Sequence, residues 1–162
     1  MHLTKKFFYL FILLLCFSSC KNAEIDFNNN LVTIQKKVLK EVQDFGQKMK
    51  EIRIDSFPQA PVKKEAEKLT VFINDQIRDA QNLNAPKKGE NLKEAVVKQL
   101  QFEKDIVSKI GRLAEPGISK EEKTRIETEF LSSQNKANEL EANVRTAQEA
   151  FAKQYKFKLE NK

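Results

Sequence analysis

The stretch Ser119–Phe151, SKEEKTRIETEFLSSQNKANELEANVRTAQEAF, decides how the chain folds. Along it Ile126, Phe130, Ser133, Ala137, Leu140, Val144, Ala147 and Phe151 recur at spacings that alternate between four and three. That rhythm lays one stripe along an α-helix, and carried over several turns it is a heptad pattern. A half-buried strand would alternate with period two, and this stretch does not. Ser119 and Glu122 open it as a capping box, the Ser side chain accepting from a first-turn N–H and the Glu reaching back. Glu121–Arg125, Glu141–Arg145 and Glu149–Lys153 stand i,i+4 in the favoured order.

Upstream, proline and glycine punctuate the chain in DSFPQAP (55–61), NAPKKGEN (84–91) and AEPGIS (114–119). Proline interrupts helices and glycine ends them, so these are three loops and four segments remain. The first runs from about Asn30 to Arg53 with the stripe Leu31, Ile34, Val38, Val42, Phe45, Met49 and Ile52. The second starts near Pro61, a good first-turn residue. Its stripe is Val62, Ala66, Leu69, Ile73, Ile77, Ala80 and Leu83, with Phe72 beside it. The third opens with Asn91 and Glu94 as cap and reciprocal cap. It carries a broad face of Leu92, Val96, Phe102, Ile106, Ile110 and Leu113, flanked by Val97, Leu100 and Val107. This breadth predicts the most buried helix of the four.

Short loops make successive helices antiparallel neighbours. The expected fold is all-α, an antiparallel up-down-up-down four-helix bundle with a long C-terminal helix. Phe45, Phe72, Phe102, Phe130 and Phe151 are expected to fill its core. At 1.5 Å per residue the fourth segment would reach roughly 60 Å against about 36 Å for the others. It must break near Ser132–Ser133 or project past the bundle. Gly46 and Gly111 interrupt helical patterns at a cost of ~1 kcal/mol each relative to Ala. Such positions admit close helix contact or a ligand; the expected reasons are structural, a fraying C-terminus at Gly111 and a kink at Gly46.

Composition narrows the chemistry. The chain has 162 residues, a formal net charge of +6, two Cys, four Gly, no Trp and one His, which is His2. Inward-facing Glu-x-x-His pairs of a di-iron bundle are therefore out of reach, as are zinc sites built on His and Cys clusters. Glu121, Glu122, Glu127 and Glu129 lie close in sequence, but they read as a solvated helix start favoured by the helix dipole. Ser132 and Ser133 have no recognisable base. The expectation is no catalytic residue, no metal and no cofactor. Lys and Glu interleave along every helix, so the basic balance gives no one-signed stripe for nucleic acid.

Residues 1–20, MHLTKKFFYLFILLLCFSSC, read as an address. Lys5 and Lys6 precede an unbroken apolar run from Phe7 to Phe17. That run falls short of the ~20 residues that span a bilayer as a helix, and it matches the core of a secretory signal peptide. Ser18 and Ser19 then lead to Cys20. The stretch resembles the lipobox of bacterial lipoproteins, with Phe17 where the family most often has Leu, Val or Ile. Cys16 fits poorly, because Leu15 before it is too large. The resemblance implies that Cys20 becomes the first mature residue and that its thiol carries a diacylglycerol. An ordinary signal peptide cleaved near Ser19 and an uncleaved anchor are the other readings. Lys21 stands where an Asp retains some diderm lipoproteins at the inner membrane, so the resemblance favours the outer membrane. Taken with the helical pattern, the chain resembles small helical surface lipoproteins.

Residues 1–19 are thus expected to be a signal peptide, 20–30 the lipidated Cys and a polar tether, and 31–162 the helical bundle. Loss of Lys5 and Lys6 lowers the formal charge from +6 to +4. At the far end of the chain Tyr155 and Leu159 continue the stripe from Phe151, and Phe157 points away from it among Lys153, Lys156 and Lys158. In an up-down-up-down bundle this tip lies at the lipidated end, so these four residues are candidates for membrane-surface contact. The expected partners are the membrane, through acyl chains on Cys20, and an envelope protein. The expected role is a non-enzymatic module for protein interaction or envelope structure. A binder of a small apolar or lipid-like ligand in the bundle core and a self-associating coiled coil are the alternatives.

Overall fold

The computed structural model describes residues 3–51 and 59–159, with side chains over 23–49 and 60–159. These residues form four helices, α1 (Leu3–Glu51), α2 (Gln59–Asn82), α3 (Glu90–Leu113) and α4 (Lys120–Tyr155), with no strand among them. At one end Lys48 of α1 meets Glu65 of α2 at 2.6 Å and Arg112 of α3 meets Glu122 of α4 at 2.7 Å. At the other end Phe27 of α1 stacks on Phe151 of α4, and Lys93 of α3 reaches the Leu83 carbonyl at the close of α2. Direction therefore reverses at each loop, and the fold is the up-down-up-down four-helix bundle that the stripes predict.

The stripes become the core. Leu31, Val38, Val62, Ile73, Val96, Leu100, Val107 and Ile126 are fully buried. Each such aliphatic side chain contributes about 1.5–3 kcal/mol on leaving water. The buried amide of Gln99 accepts from Gln35 Nε2, tying α3 to α1, and Thr70 of α2 faces Ser108 of α3 at 3.4 Å. Polar groups in a core must find such partners. Gly111 is buried with its Cα side against Ala66, where an added Cβ would stand 3.0 Å from the Ala66 Cβ. It lets α2 and α3 approach closely. Gly46 has nothing within 4 Å of an added Cβ and so no packing role.

The structure corrects several readings. Residues 21–30 are not a tether: they lie inside α1, and Phe27 and Asn28 are buried. Phe27, Leu31, Ile34 and Val38 follow at four, three and four, so the stripe begins a turn before the Asn run ends. Packing overrides the weak helix propensity of Asn28–Asn30, and Asn28 Oδ1 accepts from Gln148 Nε2 at 3.1 Å. The bundle thus starts upstream of Leu31. α3 begins at Glu90 after Gly89, which offers no side-chain cap, so Asn91 and Glu94 are inside the helix and do not cap it. α4 is continuous through Ser132–Ser133, whose hydroxyls donate to the carbonyls of Glu129 and Phe130.

Ser119 does cap α4, accepting from the Glu122 N–H at 3.1 Å. Glu122 does not reach back; its carboxylate is taken by Arg125 and Arg112. Arg125 and Arg145 pair forward with Glu129 and Glu149 and leave Glu121 and Glu141 aside. Among the five phenylalanines expected in the core, Phe45 and Phe151 are buried, Phe72 and Phe102 are half-buried, and Phe130 is 44% exposed. Between Ile126 and Leu140, α4 buries no side chain. α4 touches α1 only near its C-terminal end, and Ser133 and Ala137 supply too little apolar surface to draw the middle of the helix inward.

Candidate functional site at the lysine-lined end

The end of the bundle where α1 emerges at Ala23 is built from two turns. The first is Pro86-Lys-Lys-Gly89, closed by the Gly89 N–H donating to the Pro86 carbonyl at 2.7 Å. Lys88, third in the turn, takes a left-handed φ of 67°. Gly89 lies so close to Phe27 that a Cβ would stand 3.1 Å from its ring and 2.9 Å from Pro86 Cδ. The second turn ends α4. Lys156 takes a left-handed φ of 55°, and the Phe157 N–H donates to the Ala152 carbonyl at 3.2 Å. This is a Schellman close, and it brings a hydrophobic residue back onto the last turn of the helix.

Phe157 accordingly does not point away. Its ring packs edge-on against Phe151 at 5.9 Å, within a cluster where Phe151 also meets Phe27 at 5.6 Å and Tyr155 at 4.9 Å. Such pairs add about 0.5–1.5 kcal/mol each beyond burial. The Tyr155 hydroxyl donates to the Lys87 carbonyl and ties the two turns together. The aromatic faces turn inward, and the end exposes Lys87, Lys88, Lys153, Lys156 and Lys158 alongside Asn84, Glu90 and Gln154. None of these five forms an ion pair among the described residues. Lys88 and Lys156 are the two non-glycine residues with positive φ there, a conformation that costs on the order of 1–3 kcal/mol each.

The acids at this end stand on helices. Glu24 and Asp26 belong to α1, Asp79 to the last turn of α2, and Glu90 is engaged by Lys93 at 3.1 Å. Glu24 Oε2 is buried without a hydrogen-bond partner. The opposite half of the bundle is different. Among the described residues all ion pairs between elements lie there: Lys48–Glu65, Lys63–Glu115, Lys109–Glu129 and Arg112–Glu122. Lysines therefore meet acids of other elements at one end, while at the other Lys93 meets Glu90 of its own helix and Lys87, Lys88, Lys153, Lys156 and Lys158 face water.

The remaining candidates separate in space or are already engaged. Hydrogen bonds from Arg125 to Glu122 and from Lys109 to Glu129 hold those carboxyls below their usual range. They do not converge with Glu121 and Glu127. Among the described residues no group of three or more His, Cys, Asp or Glu is arranged to hold a metal ion. Ser132 and Ser133 are bonded back to their own helix. The side chain of Cys20 lies outside the described residues. No helix among the described residues is long and apolar enough to cross a membrane.

The grooves between helices are open troughs. One of about 460 Å³ over α2 and α3 is edged by Gln81, Lys93, Glu94 and Lys98. Another of about 360 Å³ runs between α1 and α2 past Asp44, Lys48, Glu65 and Phe72. The sequence reading missed two features. The first is the nearness of Lys87 and Lys88 to the C-terminal lysines, which the antiparallel order implies by putting the second loop at the same end. The second is the surface pair Phe130 and Leu131, which are 44% and 81% exposed on the middle of α4. Comparison with known proteins gives no match: no family model fits the chain, and no curated protein or solved structure resembles it significantly.

Proposed function

We propose that this chain is a lipid-anchored lipoprotein of a bacterial envelope, held through acyl chains on Cys20, whose bundle is a non-enzymatic module for protein interaction or envelope structure. The observation that carries the reading is the join between leader and bundle. The basic, apolar and Ser-Ser-Cys parts of residues 1–20 stand on the N-terminal stretch of α1, and the same helix continues into the bundle at its lysine-lined end. Stable anchoring takes two acyl chains or more, which a diacylglycerol on one thiol supplies. Lys21 favours delivery to the outer membrane. Metabolic labelling with a fatty-acid analogue tests the anchor. Label is expected on the wild-type chain and absent from Cys20→Ala; equal labelling of the two, or none on either, overturns it.

The open, charge-edged grooves over α2 and α3 and between α1 and α2 support an interaction module over a carrier of an apolar ligand, which would need an enclosed apolar pocket. Exposed Phe130 and Leu131 support a second reading, self-association through α4. Sedimentation velocity distinguishes the two. A dimer dispersed by Leu131→Glu supports self-association, and a monomer at high concentration rejects it. Cross-linking in the native cell followed by mass spectrometry then identifies the envelope protein that the module meets.

A further inference from the structure

We propose that the end of the bundle formed by the Pro86–Gly89 turn and the C-terminal turn is an electrostatic seat for an anionic lipid surface, with Lys87, Lys88, Lys153, Lys156 and Lys158 set against headgroup phosphates. The inference rests on the anchored reading above and deepens it, because it names the face the bundle turns to the membrane and the lipid class it selects.

Three independent observations converge on this end. The first is pairing. The five lysines are exposed and carry no ion pair among the described residues, whereas the ion pairs between elements among those residues all sit in the opposite half. The second is conformation. Lys88 and Lys156 hold left-handed backbone that glycine would adopt without strain. Lysine at both positions keeps a charge at the outermost point of each turn. The third is geometry. The two turns are fastened by the Tyr155–Lys87 hydrogen bond, and α1 leaves the bundle beside them through the Phe27 contact to Gly89. An anchor upstream of Ala23 would bring this end, and no other, to the lipid.

The aromatic rings have a different part from the one their composition suggests. Phe157 is spent on Phe151, so the seat works by charge and not by inserting a ring. Each lysine near an anionic surface is worth about fivefold in affinity. The effect fades within a Debye length, about 8 Å at physiological salt. Glu24, Asp26 and Asp79 temper the field but belong to helices, as does Lys153 on the last turn of α4, while Lys87, Lys88, Lys156 and Lys158 occupy the turns that make the end face.

The test uses the full chain on vesicles of phosphatidylcholine alone and of equal parts phosphatidylcholine and phosphatidylglycerol. Flotation reports binding, and amine acetylation read by mass spectrometry reports which lysines are covered. Lys64 and Lys120, at the opposite end, are the internal reference. The expected result is flotation with both vesicles and severalfold slower acetylation of Lys87, Lys88, Lys156 and Lys158 on the phosphatidylglycerol vesicles only. High salt and the double variant Lys87→Glu, Lys88→Glu are expected to abolish that protection. Phe157→Ser is expected to leave it in place. Flotation with both vesicles but equal acetylation on each overturns the seat and leaves the anchor standing. Flotation with phosphatidylglycerol vesicles alone, with the same lysines protected, supports the seat and overturns the anchor. Flotation with neither overturns both. Equal protection by inorganic phosphate without vesicles overturns the membrane seat in favour of a free-phosphate site.

Discussion

Glu103 on α3 shows how one residue sets a pH dependence. It is partly buried, and loss of hydration pushes its carboxyl above the usual range. The folded chain then holds this proton more tightly than the unfolded chain does. Stability from this group is greatest below the ordinary Glu pKa of about 4.3 and is lost as pH rises through the raised folded value. Glu103→Gln removes the ionisation. The variant is expected to melt higher than wild type at pH 7, with the gap closing as pH falls toward 4. Thermal melts at the two pH values check this; a gap independent of pH contradicts it. Glu65 runs the opposite way, held low by its hydrogen bond to Lys48 at the exposed far end. Screening by solvent there leaves little stability to gain.

At the scale of the element, α1 carries an avoidable weakness at Gly46. The helix is continuous through it and an added Cβ meets nothing within 4 Å. Gly46→Ala is expected to stabilise by about 0.5–1 kcal/mol, raising the melting temperature by roughly 3 °C for a chain this size. Gly111→Ala is expected to do the reverse, because the new methyl would crowd Ala66. The same elements show what the sequence could and could not reveal. Periodicity located the helical stripes, because burial of a stripe is a property of spacing, and Pro and Gly marked the two loops after Asn82 and Leu113; most of the first expected loop, 55–61, lies outside the described residues. The cap at Ser119 was legible because it needs only a hydroxyl three residues before an N–H. The N-terminal turns of the bundle were not: Asn28–Asn30 speak locally for a loop, and the packing that overrides them is long-range, with Phe27 against Phe151 and Gly89 and Asn28 bonded to Gln148. Nor were the two left-handed lysines, since left-handed turns are ordinarily signalled by Gly or Asn. Phe130 satisfies the heptad rhythm yet stays exposed, because a stripe shows which face is apolar and not whether a neighbour covers it.

At the scale of the whole molecule, the bundle is closed at its lysine-lined end and open along the middle of α4. Closure depends on Phe27, which touches Phe151 and lies against Gly89, so one ring joins α1, the α2–α3 turn and α4. Phe27→Ala is expected to cost about 3–5 kcal/mol, in the range for a buried aromatic truncation. Urea denaturation of the variant checks the magnitude. A loss below 1 kcal/mol would mean that the closure does not rest on this ring. The candidate site follows from topology: four antiparallel helices bring the second loop and the C-terminus to the end at which α1 enters the bundle. That juxtaposition was available in principle from the element order. The inward turn of Phe157 was not, because it depends on the backbone reversal at Lys156.

The hydroxyl that fastens the two turns has an optical consequence. The chain has no Trp and two Tyr, Tyr9 within residues 1–19, which we propose to be a leader, and Tyr155 in the fastening. If the leader is removed, every photon of intrinsic ultraviolet emission above the phenylalanine background originates at one ring, whose phenol is bonded to the Lys87 carbonyl. The molecule would then carry a native, single-site fluorophore at the join of its two turns, able to report the state of that end without any introduced dye.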